Sequence, residues 1–137
     1  MKRTALVVAL ALVLGITLGV IGGKVLDAQH EAVKHTVLLK TDLVGIEGKE
    51  AQMLIAEIAP GAESGRHSHP GHEFIYVMEG SGILEVVGKE PVALRQGGVA
   101  HTTPKQVHNA KNTGRAPIKA VVFAIYEKGQ PRATPVR

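Results

Sequence analysis

Two histidines and a glutamate lie within one seven-residue stretch and carry the donor atoms of a metal site. His67 and His69 are two residues apart, so both side chains leave the same face of an extended strand. A Pro70-Gly71 turn follows, and Glu73 begins the next apolar segment, so a hairpin would bring its carboxylate back beside the imidazoles. This set suits one divalent transition metal of the zinc, iron, manganese, copper or nickel group.

A fourth ligand must come from elsewhere in the chain, and it must be a nitrogen or oxygen donor because the chain has no cysteine. His108 is the best candidate. It lies in a strand-like stretch, 107–110, that follows a Thr103-Pro104 turn. Five of the seven histidines fall between residues 67 and 108, so any metal chemistry is concentrated in this part of the chain.

Short strands must position these residues. All seven prolines and twelve of the 16 glycines follow residue 44, and they separate short apolar segments at intervals of about ten residues. No segment after residue 30 keeps a helical period for three turns without a glycine or proline. The pattern predicts an all-β sandwich or barrel with strands in the apolar segments 53–58, 74–78, 83–87, 92–94 and 118–126.

Composition and charge limit the classes of partner that the protein is expected to bind. The chain has no Trp, two Tyr and two Phe, and its net charge of +4 includes no interior cluster of Lys and Arg. A nucleic-acid partner is therefore not expected, since it would need a concentrated basic stripe or aromatic stacking surface. A small molecule is the expected ligand. We also predict a homodimer, because pairing strand edges protects a small sheet protein that has no disulfide.

The N-terminus has the pattern of an export segment. Met1-Lys2-Arg3 is followed by uncharged residues from Ala5 to Gly23, and polar residues begin at Lys24. Residues 1–28 are predicted to be a signal peptide or an uncleaved apolar anchor helix, since nineteen residues exceed a usual signal core and approach a membrane span. The body is then expected outside the cytoplasm, periplasmic or extracellular, with membrane contact only through residues 4–23.

The spacing of these residues resembles the cupin family. Gly61, His67, His69, Glu73 and Gly80 match every spaced position of the first cupin motif. For the second motif, the counterparts are Gly98, the Thr103-Pro104-Lys105 turn, His108 and Asn112. The turn departs from the family pattern, because Pro104 is four residues before His108 rather than five and Lys105 replaces the usual glycine.

The resemblance, which covers about residues 50–127, implies a double-stranded β-helix (jelly-roll) barrel. It also implies one metal held by His67, His69, Glu73 and His108. On this interpretation residues 29–127 form the barrel domain and residues 128–137 form a flexible tail. By strand parity, the wall that excludes water would include Met53, Ile55, Ile75, Val77 and Phe123.

The remaining polar residues have simpler interpretations. His72 is expected to face solvent, with a hydrogen bond to a ligand, a proton-shuttle role or direct ligation as the alternatives. His101 is expected to be structural or at the barrel rim. His30, His35 and Arg66 are interpreted as exposed. Glu85 should point outward if Leu84 and Val86 point inward.

Three functions fit this picture. The first is a metal-dependent enzyme, foremost a dioxygenase-type oxidoreductase acting on a small organic molecule, with an isomerase or lyase next. In it Glu73 would be a ligand and a possible proton acceptor. The second is an exported module that holds a metal or small ligand without turnover, and the third is a scaffold on a membrane anchor. The fold alone does not choose among them.

Overall fold

The structure is a computed structural model that describes residues 31–137. These residues form ten strands and no helix, so they contain no helix able to span a membrane. The strands are β1 (Val33–Asp42), β2 (Lys49–Ile58), β3 (His67–Ser68), β4 (Gly71–Glu79), β5 (Ser81–Val86), β6 (Val92–Arg95), β7 (Val99–Thr102), β8 (His108–Asn112), β9 (Ile118–Glu127) and β10 (Thr134–Pro135).

The strands form two five-stranded antiparallel sheets. Sheet A has the order β1-β2-β9-β4-β7, and sheet B has the order β10-β3-β8-β5-β6. Strands that are distant in sequence pair within each sheet, and apolar side chains from both sheets form one buried cluster. The prediction of an all-β fold is confirmed.

Alternation of buried and exposed residues explains which sides of the strands meet. In β5, Gly82, Leu84 and Val86 are buried, whereas Glu85 points away and lies 3.0 Å from the Lys111 ammonium. The predicted outward orientation of Glu85 is confirmed. A leucine or valine at every second position buries one face of a strand and leaves the other for polar residues.

The predicted barrel wall was wrong for three of its five residues. Ile75 and Val77 of β4 line the interior as expected. In β2 and β9, however, the interior is lined by the residues of opposite parity: Leu54, Ala56, Ile58, Ile118, Ala120 and Val122 take the places expected for Met53, Ile55 and Phe123. Both strands carry apolar residues on both faces, so the sequence offered no alternation from which to choose the face.

The turn before β8 explains the departure from the second motif. Lys105 has a φ of 61°, a left-handed conformation that glycine adopts without steric cost and other residues adopt with difficulty. The Lys105 amide donates a hydrogen bond to the carbonyl of His69 at 2.9 Å. The turn therefore keeps the geometry expected of a glycine, and it ties the segment after β3 to the entry of β8.

Two predicted segments flank the barrel. The signal or anchor segment of residues 1–28 lies outside the described residues. Within residues 128–137, predicted as a flexible tail, Thr134 and Pro135 form β10 and pair with Ser68 and His67 of β3. The amide of Val136 also donates to the carbonyl of Arg66 at 2.9 Å. This pairing connects the segment to the strand that carries the first candidate ligand.

Candidate metal centre

The four predicted ligands come from neighbouring parts of the two sheets. His67 in β3 pairs directly with His108, the first residue of β8. His69 follows β3, and Glu73 lies in β4 on sheet A. One ring nitrogen from each of His67, His69 and His108 lies within 4.8 Å of the other two, and the Glu73 carboxylate lies 3.0 Å from His69 Nε2. The structure thus brings all four side chains together.

Each of the three imidazoles is oriented by a backbone carbonyl. The Nδ1 atom of His67 lies 2.8 Å from the carbonyl of Gly65, that of His108 lies 2.8 Å from the carbonyl of Gln106, and that of His69 lies 2.6 Å from the carbonyl of Arg132. A carbonyl oxygen can only accept, so Nδ1 is the nitrogen that carries hydrogen in each ring. The three Nε2 atoms are then left with lone pairs.

These lone pairs face one another across short distances. His67 Nε2 lies 3.1 Å from His69 Nε2, which in turn lies 3.0 Å from Oε2 of Glu73. Three neutral imidazoles and a carboxylate with their acceptor atoms converging would repel one another unless a proton or cation lies between them. The donor set fits a divalent transition metal, with Nδ1 anchoring of the kind that holds histidine ligands in metal sites.

Tyr126 positions the carboxylate. Its hydroxyl donates a hydrogen bond to Oε1 of Glu73, which leaves Oε2 for the histidine side of the site. Tyr126 is 1% exposed, and its ring stacks on that of His69. Burial, and then the charge of Glu73, raise the pKa of the Tyr126 hydroxyl, so it stays a donor. Sequence reasoning missed this residue, although a lone hydroxyl in an otherwise apolar strand was a usable signal.

Burial and hydrogen bonding set the charge of the ligands. Burial lowers the pKa of His67 and His108, with the hydrogen bonds to Gly65 and Gln106 acting weakly in the opposite direction. Burial by itself would raise the pKa of Glu73, but its contacts with His69 and Tyr126 outweigh that effect and lower it. At neutral pH His67 and His108 are therefore neutral and Glu73 is ionised, the protonation states in which these groups bind metals.

A cavity of about 80 Å³ inside the barrel is continuous with the site. His67, His69 and Glu73 line it together with a largely apolar wall that includes Leu54, Ile75 and Val122. Two further polar residues reach it. His35 comes from β1 and is exposed, as expected, but it also lines the cavity. Arg132 comes from the C-terminal segment. Neither was predicted as part of a site, because only the tertiary fold brings their distant segments to the cavity.

A second pair of histidines lies on the outer face of sheet A. His72 and His101 are both exposed, with His72 Nδ1 3.0 Å from His101 Nε2 and their rings nearly parallel. Both also stack against Phe74. The predicted solvent-facing position of His72 is confirmed, and neither residue joins the candidate metal centre.

Comparison with known proteins places this geometry in a family. A family model described as a cupin domain matches residues 54–125. A comparison with curated proteins finds no match. Among solved structures, the chain is similar to an uncharacterised conserved protein with a double-stranded β-helix domain from Klebsiella pneumoniae. The TM-score is 0.62 at 22% identity, over 80% of this chain and 89% of the other.

Two solved enzymes are also similar in fold. A DMSP lyase from Ruegeria pomeroyi has a TM-score of 0.64 at 15% identity, over 77% of this chain and 52% of the lyase. An oxalate oxidase in complex with the substrate analogue glycolate has a TM-score of 0.61 at 20% identity, over 80% of this chain and 57% of the oxidase. At these identities the likeness shows the fold alone. The chain also spans only about half the length of each enzyme.

Proposed function

The chain belongs to the cupin domain family, and from this premise we propose that it binds one divalent transition metal through His67, His69, Glu73 and His108. The observation that carries the proposal is the anchoring of all three Nδ1 atoms on backbone carbonyls. That arrangement fixes the tautomers and aims three Nε2 lone pairs and one carboxylate oxygen at a common point. A histidine that merely filled the core would need no such common orientation.

We propose further that the site is catalytic and acts on a small organic molecule, with dioxygenase-type oxidation as the leading reaction. A bound metal would supply Lewis acidity and, if redox-active, electron transfer to dioxygen. The chain's own residues hold it and shape the surroundings. The apolar wall excludes water, and Tyr126 holds Glu73 so that its free oxygen can bind the metal or accept a proton from a ligand.

The cavity supports catalysis, because a space of about 80 Å³ beside the ligands leaves room for a small molecule. The similar folds include an oxalate oxidase and a DMSP lyase, so both oxidation and elimination chemistry occur on this architecture. The alternative is a module that binds a metal or a small ligand without turning it over. It is favoured by the shortness of most loops between the described strands, which leaves little chain for a lid.

Metal content tests the first proposal. The purified chain, without a histidine tag, would be compared by elemental analysis with a His67→Ala/His69→Ala/Glu73→Ala variant and with a His72→Ala/His101→Ala control. We expect close to one metal per chain in the parent and in the control, and almost none in the triple variant. Equal trace metal in all three proteins would contradict the proposal.

Oxygen consumption separates the enzyme from the module. The metal-loaded chain would be screened with small molecules that chelate through two oxygens, and the triple variant would serve as the blank. Uptake of dioxygen by the parent and not by the triple variant supports the dioxygenase-type enzyme. Full metal content with no turnover of any compound in the screen would favour the binding module instead.

We also propose that the barrel is exported and dimeric. Export rests on the sequence of residues 1–28 and is tested by cell fractionation and by the mass of the mature N-terminus. A homodimer is supported by apolar side chains on the outer face of sheet A, where Phe74, Tyr76 and Val99 are 45%, 50% and 73% exposed. Light scattering of the wild type and of a Tyr76→Lys/Val99→Lys variant tests it, and a monomeric wild type would contradict it.

A further inference from the structure

Arg132 brings a positive charge into the cavity beside the candidate metal centre. Its backbone carbonyl accepts the hydrogen bond from His69 Nδ1, which fixes the residue next to the ligands. The residue is half-buried and lines the same cavity as His67, His69 and Glu73, and, in addition to burial, its charge acts to lower the pKa of His67. Second to burial, its charge lowers the pKa of His35, which lines the cavity from β1.

No protein carboxylate neutralises this charge. Among residues 31–137, no Asp or Glu oxygen lies within 4.0 Å of the Arg132 guanidinium. Glu73, the only acidic residue lining the cavity, has one oxygen on Tyr126 and the other on His69. A half-buried guanidinium without a partner, at an apolar cavity, is complementary to an anion that enters from solution.

The other residues that line the cavity limit the size and polarity of the group attached to the anion. Most residues that line the cavity are apolar, among them Leu54, Ile75 and Val122. The volume of about 80 Å³ is about half that of a roughly 150 Å³ apolar cavity known to hold a benzene ring. Roughly three to five non-hydrogen atoms therefore fill this volume, which favours a carboxylate with a short apolar chain over a bulky acid.

We propose that the site takes a short-chain carboxylate and that Arg132 binds its carboxylate group. This inference rests on the proposed function, because it assigns a substrate class to the same site. The side chain of Arg132 is a binding group here and takes no part in holding the metal, since the contact of Arg132 with His69 is made by its backbone carbonyl. A side-chain substitution should therefore spare the ligand geometry and remove only the anion partner.

Calorimetric titration of the zinc-loaded full chain with propionate and with the isosteric propionamide tests the inference. Propionate should bind at least tenfold more tightly than propionamide. Arg132→Gln should weaken propionate about ten- to hundredfold and leave propionamide unchanged, with Arg132→Lys between the two. Arg115→Gln, a loss of the same charge at an exposed turn, is the matched control and should bind like the wild type.

Chain length gives a second measurement. From formate to propionate the affinity should rise by up to about fourfold per added carbon, and octanoate should bind more weakly than propionate because the cavity is then overfilled. Equal propionate affinity in the wild type and Arg132→Gln would overturn the inference, as would equal affinity for acid and amide or no binding of propionate at all.

Zinc content separates this inference from the proposed function. A wild type that takes up no zinc would overturn the metal proposal, and the same titration on that protein still decides whether Arg132 binds the carboxylate. Zinc-replete Arg132→Gln with undiminished propionate affinity would overturn only the anion site. Similar melting temperatures of the two proteins would show that the substitution has not disturbed the fold.

Discussion

In two groups of histidines in this chain the ring nitrogens lie almost the same distance apart, but the surroundings of the two groups are very different. In the buried group, His67 and His69 bring their Nε2 atoms to 3.1 Å, and in the exposed pair His72 and His101 bring ring nitrogens to 3.0 Å. The buried rings each have the second nitrogen on a backbone carbonyl and share a carboxylate. The exposed pair has stacking against Phe74 instead. Proximity alone therefore does not distinguish the two groups, whereas anchoring of the second nitrogen, which is typical of histidine ligands, does.

The largest expected difference between the two groups is in thermal stability. A ligand present at about a thousand times its Kd stabilises the native state by about 4 kcal/mol, which for a domain of this size raises Tm by on the order of 15 °C. Chelator should produce a fall of this size in the wild type and in His72→Ala/His101→Ala. It should produce almost none in His67→Ala/His69→Ala/Glu73→Ala. A melting temperature that falls on addition of chelator in the triple variant would show that the stabilising metal binds outside the buried group.

Removing the support of one ligand should have the next largest effect. Tyr126→Phe deletes the hydroxyl that orients Glu73, and loss of such a partner weakens metal binding by about ten- to hundredfold. Tyr76→Phe removes the same atom from an exposed tyrosine and is the matched control. Competition with a metal-binding dye measures both Kd values. Equal affinity in the two variants would show that the orientation of the carboxylate does not matter.

Acidification should weaken the buried group through its protonation. Burial lowers the pKa of His67 and His108 in the folded chain, so below the ordinary histidine pKa of about 6.5 the unfolded chain binds more protons. The metal-free protein should therefore lose stability as pH falls from about 6.5 towards the folded pKa values, by on the order of 1 kcal/mol after solvent screening. Urea unfolding between pH 5.5 and 7.5 measures this, and His108→Asn should flatten the dependence. A flat wild-type profile would contradict it.

The smallest effect is expected at the turn that supports the segment after His67. Lys105→Gly removes the steric strain of the left-handed backbone at φ 61°, which should stabilise the native state by about 1 kcal/mol. Part of this gain is lost because glycine has more conformational freedom in the unfolded chain. The variant should be as stable as the wild type or more stable by up to about 1 kcal/mol, with unchanged metal content. Lys89→Gly, in an exposed turn, should only destabilise. Loss of stability at Lys105 would contradict the strain argument.

The sequence predicted the fold class and three of the four converging side chains from short-range patterns. Turn residues at regular intervals predict strands, and the spacing of His67, His69 and Glu73 is local. His108 required the resemblance to a family, or an argument from strand-like context, and its pairing with His67 is tertiary. The site could thus be predicted to the extent that its members lie close together in the chain.

The remaining features depend on register and on distant segments. The interior face of β2 could not be read from its sequence, since Met53 and Leu54 are both apolar and only pairing with β9 selects Leu54. Tyr126 and Arg132 reach the site from the end of β9 and beyond, more than fifty residues after the ligands they contact. The segment 128–137 contains two Pro and two Arg and has the composition of a loose end. Nothing in its sequence indicates that one of its backbone carbonyls orients a histidine.

The brevity of β3 has a consequence for local opening of the barrel. Its pairing with β8 consists of the single position His67↔His108, and with β10 of two positions. Few backbone bonds hold β10 to β3, so amide hydrogens such as that of Val136 should exchange with solvent through small openings rather than through global unfolding. A metal bound by both His67 and His108 would hold β3 to β8 and slow such openings. Occupancy of the site would then be readable in deuterium uptake at the very strands that carry its ligands, long before any other part of the barrel responds.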